Sequence, residues 1–265
     1  MDLKLTGKRA VVTGGSQGIG RAVAETLLDE GADVALVSRT VETLDRSAAE
    51  LSGRAGRVVP IAADTTDDDS VRRMAARAIE LLGGVDILVN SAAPRSVPGP
   101  QPKLSEITDD AARLQFETKV LGYLRCARAL APGMAERGWG RIINISGMNA
   151  RSSSSLVGSI RNVSVVAMTK SLADELGPDG INVTVVHPGY TVTEQTPDTV
   201  AAIARAQGVE TDTVVANLSA ATSIGRLITA AEVASVVAFL ASPLSVAITG
   251  DVIAAGGGQR GPIYY

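Results

Sequence analysis

The stretch Thr13-Gly14-Gly15-Ser16-Gln17-Gly18-Ile19-Gly20 follows a short apolar run and opens a helix-length segment. Gly14 lets the chain turn sharply off a strand, Gly18 lets the backbone approach a phosphate, and Gly20 lets the helix pack closely on the strand. The start of that helix offers free N–H groups and a positive dipole end to an anion. An ordinary glycine-rich turn is the alternative, but strand, loop and helix in this order predict a dinucleotide site. Its predicted pyrophosphate-binding residues are Gly14, Ser16, Gln17, Gly18, Ile19 and Gly20.

Short β-rich runs alternate with helix-length segments along the whole chain. The predicted strands are residues 10–12, 34–37, 58–61, 87–89, 142–145, 182–186 and 252–254. Most are continuous apolar runs, which is typical of parallel strands covered on both faces. The pattern predicts an α/β fold: one doubly wound, Rossmann-type parallel sheet of about seven strands with helices on both faces, in a single domain over residues 1–265.

The stretch 193–227 has helical composition and contains no predicted strand. We interpret it as an insertion before the last strand. Two interpretations stay open at this point: a lid over the substrate, or a segment that only packs on the neighbouring helix.

The composition excludes several classes of protein. The chain has 265 residues, of which 45% are hydrophobic and 20% charged, which is typical of a globular protein. Cys126 and His187 are its only cysteine and histidine, so we expect no internal disulfide and no His/Cys metal site. A net charge of -3 and 3% aromatic residues argue against nucleic-acid binding. No run is long and apolar enough to span a membrane, and no signal peptide is visible, so we expect a cytoplasmic protein acting on a small molecule.

The end of the second predicted strand bears on the choice of cofactor. A free ribose 2′-hydroxyl is held by a carboxylate at this place, whereas a 2′-phosphate needs a cation and a small donor. Ser38 and Arg39 supply the second arrangement, which favours NADP, although NAD stays possible and Arg39 could also be a solvated surface residue. Asp64, after the third strand, is placed to reach the adenine, and Asn90, after the fourth, to tie together loops near the cofactor.

Further motifs bring a family resemblance over nearly the whole length of the chain. They are "NSAA" at 90–93, "RIINIS" at 141–146, "TKSLADEL" at 169–176, "VHPG" at 186–189, "GRLITAAEVASVVAFLAS" at 225–242 and "ITGDVIAAGGG" at 248–258. With the glycine loop, they resemble the short-chain dehydrogenases/reductases, and most of all the 3-oxoacyl carrier-protein reductases. The resemblance adds Ala92, Pro188 and Gly189 to the predicted cofactor-binding residues. It also implies a homodimer or homotetramer that pairs through two long helices, 110–137 and about 158–177.

The same resemblance implies a catalytic tetrad of Asn, Ser, Tyr and Lys, from which this chain departs. Counted back from residues 171–173, the Tyr position falls on Gly158 and the Lys position on Asn162. The Asn position holds Lys119, and the Ser position falls on Gly147, so that Ser146 comes one residue early. The tetrad is therefore degenerate.

Lys119 and Asn162 look like an exchange of the family's Asn and Lys, which would keep one cation and one amide in the same pocket. A partly desolvated lysine can act as acid, base or amine nucleophile. We therefore take Lys119, Ser146 and Asn162 as the candidate catalytic residues. The alternative is that Lys119 only stabilises local loops or pairs with a carboxylate.

Other side chains are weaker candidates. Tyr123 lies one helical turn beyond Lys119, so it could replace the lost phenol or simply pack. Arg95 and Arg151 lie on predicted loops that border the substrate, where they could hold an anion or be solvated. The remaining three, Cys126, His187 and Tyr190, are expected to be structural.

These observations predict an atypical NADP-dependent oxidoreductase that acts on a carbonyl/alcohol pair by nicotinamide hydride transfer. Two alternatives stay open. One is a non-redox enzyme that uses Lys119 on the same scaffold. The other is a non-catalytic, NADP-binding subunit of a mixed oligomer.

Overall fold

The computed structural model describes residues 1–94, 101–153 and 155–260, and its centre is a parallel sheet. The strands are β1 (Arg9–Thr13), β2 (Asp33–Ser38), β3 (Val58–Ala62), β4 (Ile87–Asn90), β5 (Gly140–Ile145), β6 (Ile181–Pro188), β7 (Thr191–Val192), β8 (Ile228–Thr229) and β9 (Val252–Ala255). Seven of them form the main sheet in the order β3-β2-β1-β4-β5-β6-β9, and the six pairings between neighbouring strands are all parallel. β7 and β8 pair separately with each other. All the predicted strand runs lie within strands of the main sheet, and the predicted fold class is confirmed.

Helices cover both faces of this sheet. They are α1 (Gly18–Asp29), α2 (Val41–Glu50), α3 (Asp68–Leu82), α4 (Asp109–Phe116), α5 (Gly122–Glu136), α6 (Leu156–Leu176), α7 (Thr196–Gln207), α8 (Thr211–Ala220) and α9 (Ala230–Ala241). The expected continuous helix over 110–137 is wrong in one respect: a π-helical turn, Glu117–Leu121, separates α4 from α5. That turn carries Lys119 and Thr118 inward.

The core consists of two apolar layers, one on each side of the sheet. On one side, Val23 and Leu27 of α1 pack in the same buried cluster as Val237 of α9. On the other, Met74 of α3 packs with Leu130 of α5. Parallel strands buried on both faces require this double cover, which explains why the strands are continuous apolar runs.

The strand order reverses between β1 and β4, because the chain first winds outward through β2 and β3 and then returns to the other side of β1. In an open α/β sheet, such a reversal leaves a crevice beyond the carboxyl ends of the strands. The glycine loop follows β1 and lies at this crevice.

The stretch 193–227 contains α7 and α8, whose side chains Val200, Ala204 and Val214 form a small core of their own. In the described parts of the chain, no helix is both long and apolar enough to cross a membrane.

Candidate active site

A cleft of about 600 Å³ lies at the carboxyl ends of the central strands. It brings together most of the residues predicted to bind a cofactor. Those that line it are Gly14, Ser16, Gln17, Gly18, Ile19, Gly20, Ser38, Arg39, Ala92 and Pro188. Lys119 and Ser146 line the same cleft, so one continuous space joins the glycine loop to two of the candidate catalytic residues.

The glycine loop requires glycine for two separate reasons. Gly14 has a φ of +65°, and a Cβ placed on it would lie 2.8 Å from the Ser91 carbonyl oxygen. A Cβ on Gly20 would lie 2.3 Å from the Gly14 carbonyl oxygen, because the first turn of α1 crosses directly over the loop. The loop is therefore pressed between β4 and α1, and its backbone faces the cleft.

The first turn of α1 already holds an anion. Gln17, at its N-cap, makes no side-chain cap. Instead, the Gly18 N–H donates to the Glu194 carboxylate, with 3.2 Å between Gly18 N and Glu194 Oε2. A helix N-terminus binds anions, and this carboxylate shows that the first turn of α1 can accept one. The same N–H groups therefore suit a phosphate.

Ser38 and Arg39 lie at the other end of the cleft, where β2 ends. Arg39 is exposed and makes no ion pair with any residue that the structure describes. Its guanidinium is therefore available to a second anionic group of a bound ligand.

Asp64 and Asn90 lie outside the lining of the cleft, so the predicted contact of Asp64 with the adenine and the predicted role of Asn90 in tying loops near the cofactor stay predictions. The Asp64 carboxylate accepts hydrogen bonds from the Thr66 backbone N–H (2.9 Å) and hydroxyl (2.8 Å), so it shapes a turn. Asn90 is 0% exposed, and its Nδ2 donates to Asn144 Oδ1 at 3.0 Å. Asn144 in turn donates to the Thr169 hydroxyl at 3.0 Å, so this buried network ties β4 and β5 to α6 beneath the site.

The three candidate catalytic residues meet at the turn after β5. Lys119, only 5% exposed, donates from Nζ to the Ser146 carbonyl oxygen at 2.8 Å. The Ser146 hydroxyl donates to the Asn162 carbonyl oxygen at 3.3 Å. Asn162 donates from Nδ2 to the Gly147 carbonyl oxygen at 3.4 Å. The cation and the amide therefore hold two consecutive carbonyl groups, Lys119 from the π-helical turn and Asn162 from α6.

The surroundings of this turn are positively charged. Burial holds the pKa of Lys119 well below its usual value of 10.5, and the nearby Arg161 cation lowers it further. Burial also lowers the pKa of His187 to about 4, with smaller contributions from Arg151 and Lys119. Both effects favour neutral side chains, so Lys119 can release a proton far more readily than an exposed lysine.

Gly158, at the position that the resemblance assigns to Tyr, lies in the first turn of α6. Its N–H donates to the Ser155 hydroxyl at 3.2 Å. A Cβ at this position would lie 2.6 Å from Ser155 Oγ and 3.1 Å from Asn149 Nδ2. The side chains of Ser155 and Asn149 therefore occupy the space that a larger side chain at position 158 would need.

Neither Tyr123 nor Tyr190 lines the cleft in place of the tyrosine that the family resemblance implies at position 158. Tyr123 is 1% exposed and donates its hydroxyl to the Ile145 carbonyl oxygen at 2.9 Å. Burial raises its pKa above the ordinary value, so it is a core residue. Tyr190 has a buried hydroxyl without a partner among the described residues, and it faces a second cavity.

That second cavity has a volume of about 630 Å³ and shares Ser146 and Pro188 with the cleft. Gly189 and Asn162 line this cavity rather than the cleft. The sequence analysis missed Arg161, which also lines it. Its neighbours Ile160 and Val163 are exposed in the structure, but nothing in the sequence alone marks Arg161 as the residue of this turn that lies inward.

The remaining weaker candidates are also placed by the structure. Arg151 follows β5 in a short 3₁₀ helix, Met148–Arg151. Cys126 is a buried free thiol within α5, and His187 is buried in β6, as expected of structural residues. Arg95 lies outside the described residues.

The comparisons with known proteins define the class. The family model described as Enoyl-(Acyl carrier protein) reductase matches residues 14–260. The chain belongs to the short-chain dehydrogenase/reductase family and is an oxidoreductase of that family by its relatives. The resemblance found in the sequence is thereby confirmed.

Individual relatives match over nearly the whole chain. The short-chain reductase protein NovJ of Streptomyces niveus is 31% identical over 251 residues, which cover 94% of this chain and 93% of that protein. The L-sorbose reductase of Gluconobacter frateurii, solved with NADPH and L-sorbose, has a TM-score of 0.90 at 29% identity and covers 99% and 100% of the two chains. A short-chain dehydrogenase of Burkholderia cenocepacia, solved with NADP, has a TM-score of 0.84 at 32% identity and covers 97% and 100%.

Proposed function

We propose that this chain is an NADP-dependent oxidoreductase that interconverts a carbonyl and an alcohol with an altered proton-delivery apparatus. One observation carries the proposal. A single cleft runs from the glycine loop and Arg39 at one end to Lys119 and Ser146 at the other. The two solved relatives named above hold NADPH or NADP, and one of them holds a sugar substrate, which supports the same pairing here.

The chain offers a place for each charged part of such a cofactor. The first turn of α1 would hold the pyrophosphate in place of the Glu194 carboxylate. Arg39 and Ser38 would hold the 2′-phosphate. When bound, the nicotinamide would supply or accept the hydride.

Proton transfer falls to the residues at the turn after β5. The Lys119 ammonium has three N–H donors and uses one on the Ser146 carbonyl, which leaves two for a substrate oxygen or a water molecule. Ser146 turns its hydroxyl toward the Asn162 carbonyl, so it is the weaker donor. We assign the proton to Lys119 and assign Asn162 the task of positioning the turn through Gly147. General acid catalysis of this kind contributes about 10²–10⁴-fold.

We extend the proposal to residues 193–227 as a substrate lid. Thr193, Glu194 and Gln195 line the cleft, and Leu218 and Thr222 line the second cavity. The segment therefore borders both spaces, and its α7–α8 core lets it move as one unit.

A homodimer or homotetramer is part of the same proposal. Leu156, Ile160 and Val163 recur on α6 at helical spacing and are about half exposed, and Leu114 of α4 is similarly exposed. An apolar stripe of this kind is suited to a second copy of the same surface. Light scattering coupled to size-exclusion chromatography gives the mass directly, and a monomeric mass contradicts this part.

The cofactor is tested by titrating NADPH and NADH separately while following nicotinamide fluorescence. Arg39→Ala is expected to weaken NADPH about 10-fold and NADH far less, because only NADPH has the 2′-phosphate. Arg46→Ala, an exposed arginine on α2, is the matched control and should change neither. Equal losses for both nucleotides would contradict the choice of NADP. Absence of protection by NADPH against thermal unfolding would contradict the proposal as a whole.

Lys119 also supports a second candidate, a non-redox reaction through its amine. Its low exposure and lowered pKa favour the neutral amine, which can condense with a carbonyl to an imine and water. Borohydride added with a ketone or aldehyde panel would trap that imine as a secondary amine, visible by mass spectrometry at Lys119. Consumption of NADPH with the same panel and no trapped adduct favours the oxidoreductase. If the protein binds NADPH but shows neither result, the non-catalytic subunit is the remaining interpretation.

A further inference from the structure

Arg161 is a partly buried cation at the wall of the second cavity. It lies on α6 directly before Asn162, and its Nε donates to Asn162 Oδ1 at 3.2 Å. Its Nη1 donates to Gln115 Oε1. Both acceptors are neutral amides, and within the described residues Nη2 has no hydrogen-bond partner and Arg161 has no ion pair.

Within the part of the chain that the structure describes, Arg161 has no carboxylate counter-ion. None of the side chains that line the second cavity is Asp or Glu. Lys119, which interacts electrostatically with Arg161, is itself a cation. Arg151, which interacts with the neighbouring His187, is a cation as well.

An arginine keeps its charge at any physiological pH, so it cannot escape this situation by losing a proton. Partial burial strengthens the attraction between a guanidinium and an anion, because the charges are screened less there than in water. Burial is also the cause of the lowered pKa of Arg161. The free Nη2 donor and the adjoining cavity leave room for an anion from outside the chain.

We propose that the second cavity binds substrates that carry a carboxylate, and that Arg161 is its counter-ion. This inference rests on the proposed function, because it names the substrate class of the same reaction: an oxo acid or the matching hydroxy acid. A guanidinium N–H forms a strong charge-assisted hydrogen bond with a carboxylate, and the test below separates a carboxylate from a phosphate.

The rest of the cavity suits such a molecule. Met148 and Leu218 provide apolar contact for a carbon skeleton. Asn162 connects the two ends of the arrangement. Its Oδ1 accepts from Arg161 and its Nδ2 donates to Gly147, beside the carbonyl that Lys119 holds. A carboxylate on Arg161 would therefore hold its carbonyl carbon toward Lys119.

The test measures binding to the intact protein saturated with NADP⁺, which prevents turnover of a ketone. The probes are 4-oxopentanoate and its methyl ester, which differ in charge and little else, and calorimetry gives both dissociation constants. The acid is expected to bind about 10-fold or more tightly than the ester, the usual effect of a charge-assisted hydrogen bond. Equal affinities in the unmutated protein would overturn the inference without any variant.

Arg161→Gln should reduce the preference for the acid to less than about 3-fold, while Arg161→Lys should keep part of it. Arg113→Gln removes an exposed arginine from α4 and should leave the preference intact. If Arg161→Gln folds and keeps the full preference, Arg161 is not the counter-ion. If that variant does not fold, the acid and ester comparison in the unmutated protein decides, because equal affinities there overturn the inference without any variant.

Two further measurements separate the possible failures. NADPH titration of the same preparations tests the proposed function by itself, and failure to bind would end that proposal before substrates are considered. If NADPH binds and neutral ketones are reduced but acids gain nothing, only the carboxylate inference is wrong. Dihydroxyacetone phosphate compared with dihydroxyacetone tests the other anion, and a larger preference for that phosphate would contradict the assignment to carboxylates.

Discussion

Glu194 is predicted to compete with the cofactor for the first turn of α1. Its carboxylate accepts a hydrogen bond from the Gly18 N–H at 3.2 Å, at the position where the pyrophosphate would bind. Two anions cannot share these donors, so NADPH must displace the carboxylate and then lie close to it. Glu194→Gln removes the charge and keeps the shape of the side chain, and it is expected to tighten NADPH binding.

The magnitude follows from the exposure of the contact. A hydrogen bond to a charged group contributes about 1.5–3 kcal/mol when well buried, and a charge at a helix end contributes about 0.3–1 kcal/mol. Glu194 is exposed, so solvent screening lowers the combined value to about 0.5–1.5 kcal/mol. At about 1.4 kcal/mol for each tenfold change, the dissociation constant should fall roughly 2- to 12-fold.

The assay is a fluorescence titration of NADPH against Glu194→Gln and the unmutated protein at low and at high salt. The gain should shrink at high salt, because the contact is exposed to solvent. Glu210→Gln is the matched control: it removes the same charge from the same segment at the N-cap of α8, away from the cleft. An unchanged affinity in Glu194→Gln, or an equal gain in Glu210→Gln, would refute the competition.

Three further predictions concern buried charged or titratable groups. Lys119→Met should slow carbonyl reduction about 100-fold or more. In the unmutated protein that rate should fall with rising pH well below pH 10.5, as Lys119 loses its proton, and an unchanged profile in the variant would exclude Lys119 as the proton donor. The pKa of His187 is lowered from 6.5 to about 4, so the unfolded chain binds more protons there and stability should fall by about 3 kcal/mol as pH drops from 6.5 through 4. Urea unfolding should show His187→Asn losing that slope, and an identical slope would contradict the assignment. Asp86→Asn should destabilise the protein by about 2–4 kcal/mol at neutral pH, because the buried Asp86 accepts from Arg9 Nε and Nη2 at 2.8 and 2.6 Å; a loss below about 0.5 kcal/mol in urea unfolding would be too small for this ion pair.

The fold could be predicted from the sequence because its signals are local. The predicted runs that lie within β1, β2 and β4 are apolar along their whole length. Such continuous runs are typical of parallel strands that are covered on both faces. The glycine loop is equally local, since the close approach of Gly20 to Gly14 involves residues six positions apart. Such patterns need no knowledge of distant parts of the chain.

The site was predictable only in part, because side-chain partners depend on distant segments. Asn90 follows its strand as expected, but its side chain turns into the core toward Asn144, a residue 54 positions away. Glu194 reaches Gly18 across 176 positions. Arg161 was missed because an arginine within a helix is usually solvated, and only the packing of α6 against Gln115 buries it. No local pattern reports these contacts.

The hydrogen bonds around Lys119 support the proposal that the predicted change of the tetrad leaves a functional site. A buried lysine without a role would be expected to lack hydrogen-bond partners. Lys119 instead donates from Nζ to the Ser146 carbonyl oxygen at 2.8 Å. Asn162 finds the next carbonyl, that of Gly147, and also accepts a hydrogen bond from Arg161. Removal of Lys119 would leave the Ser146 carbonyl without the side-chain donor that holds it, whereas the Gly147 carbonyl would keep its bond from the Ala150 N–H. The turn after β5 is thus held from both sides, by Lys119 and by Asn162, and this supports the proposal that Lys119 donates to a ligand at the end of the cleft.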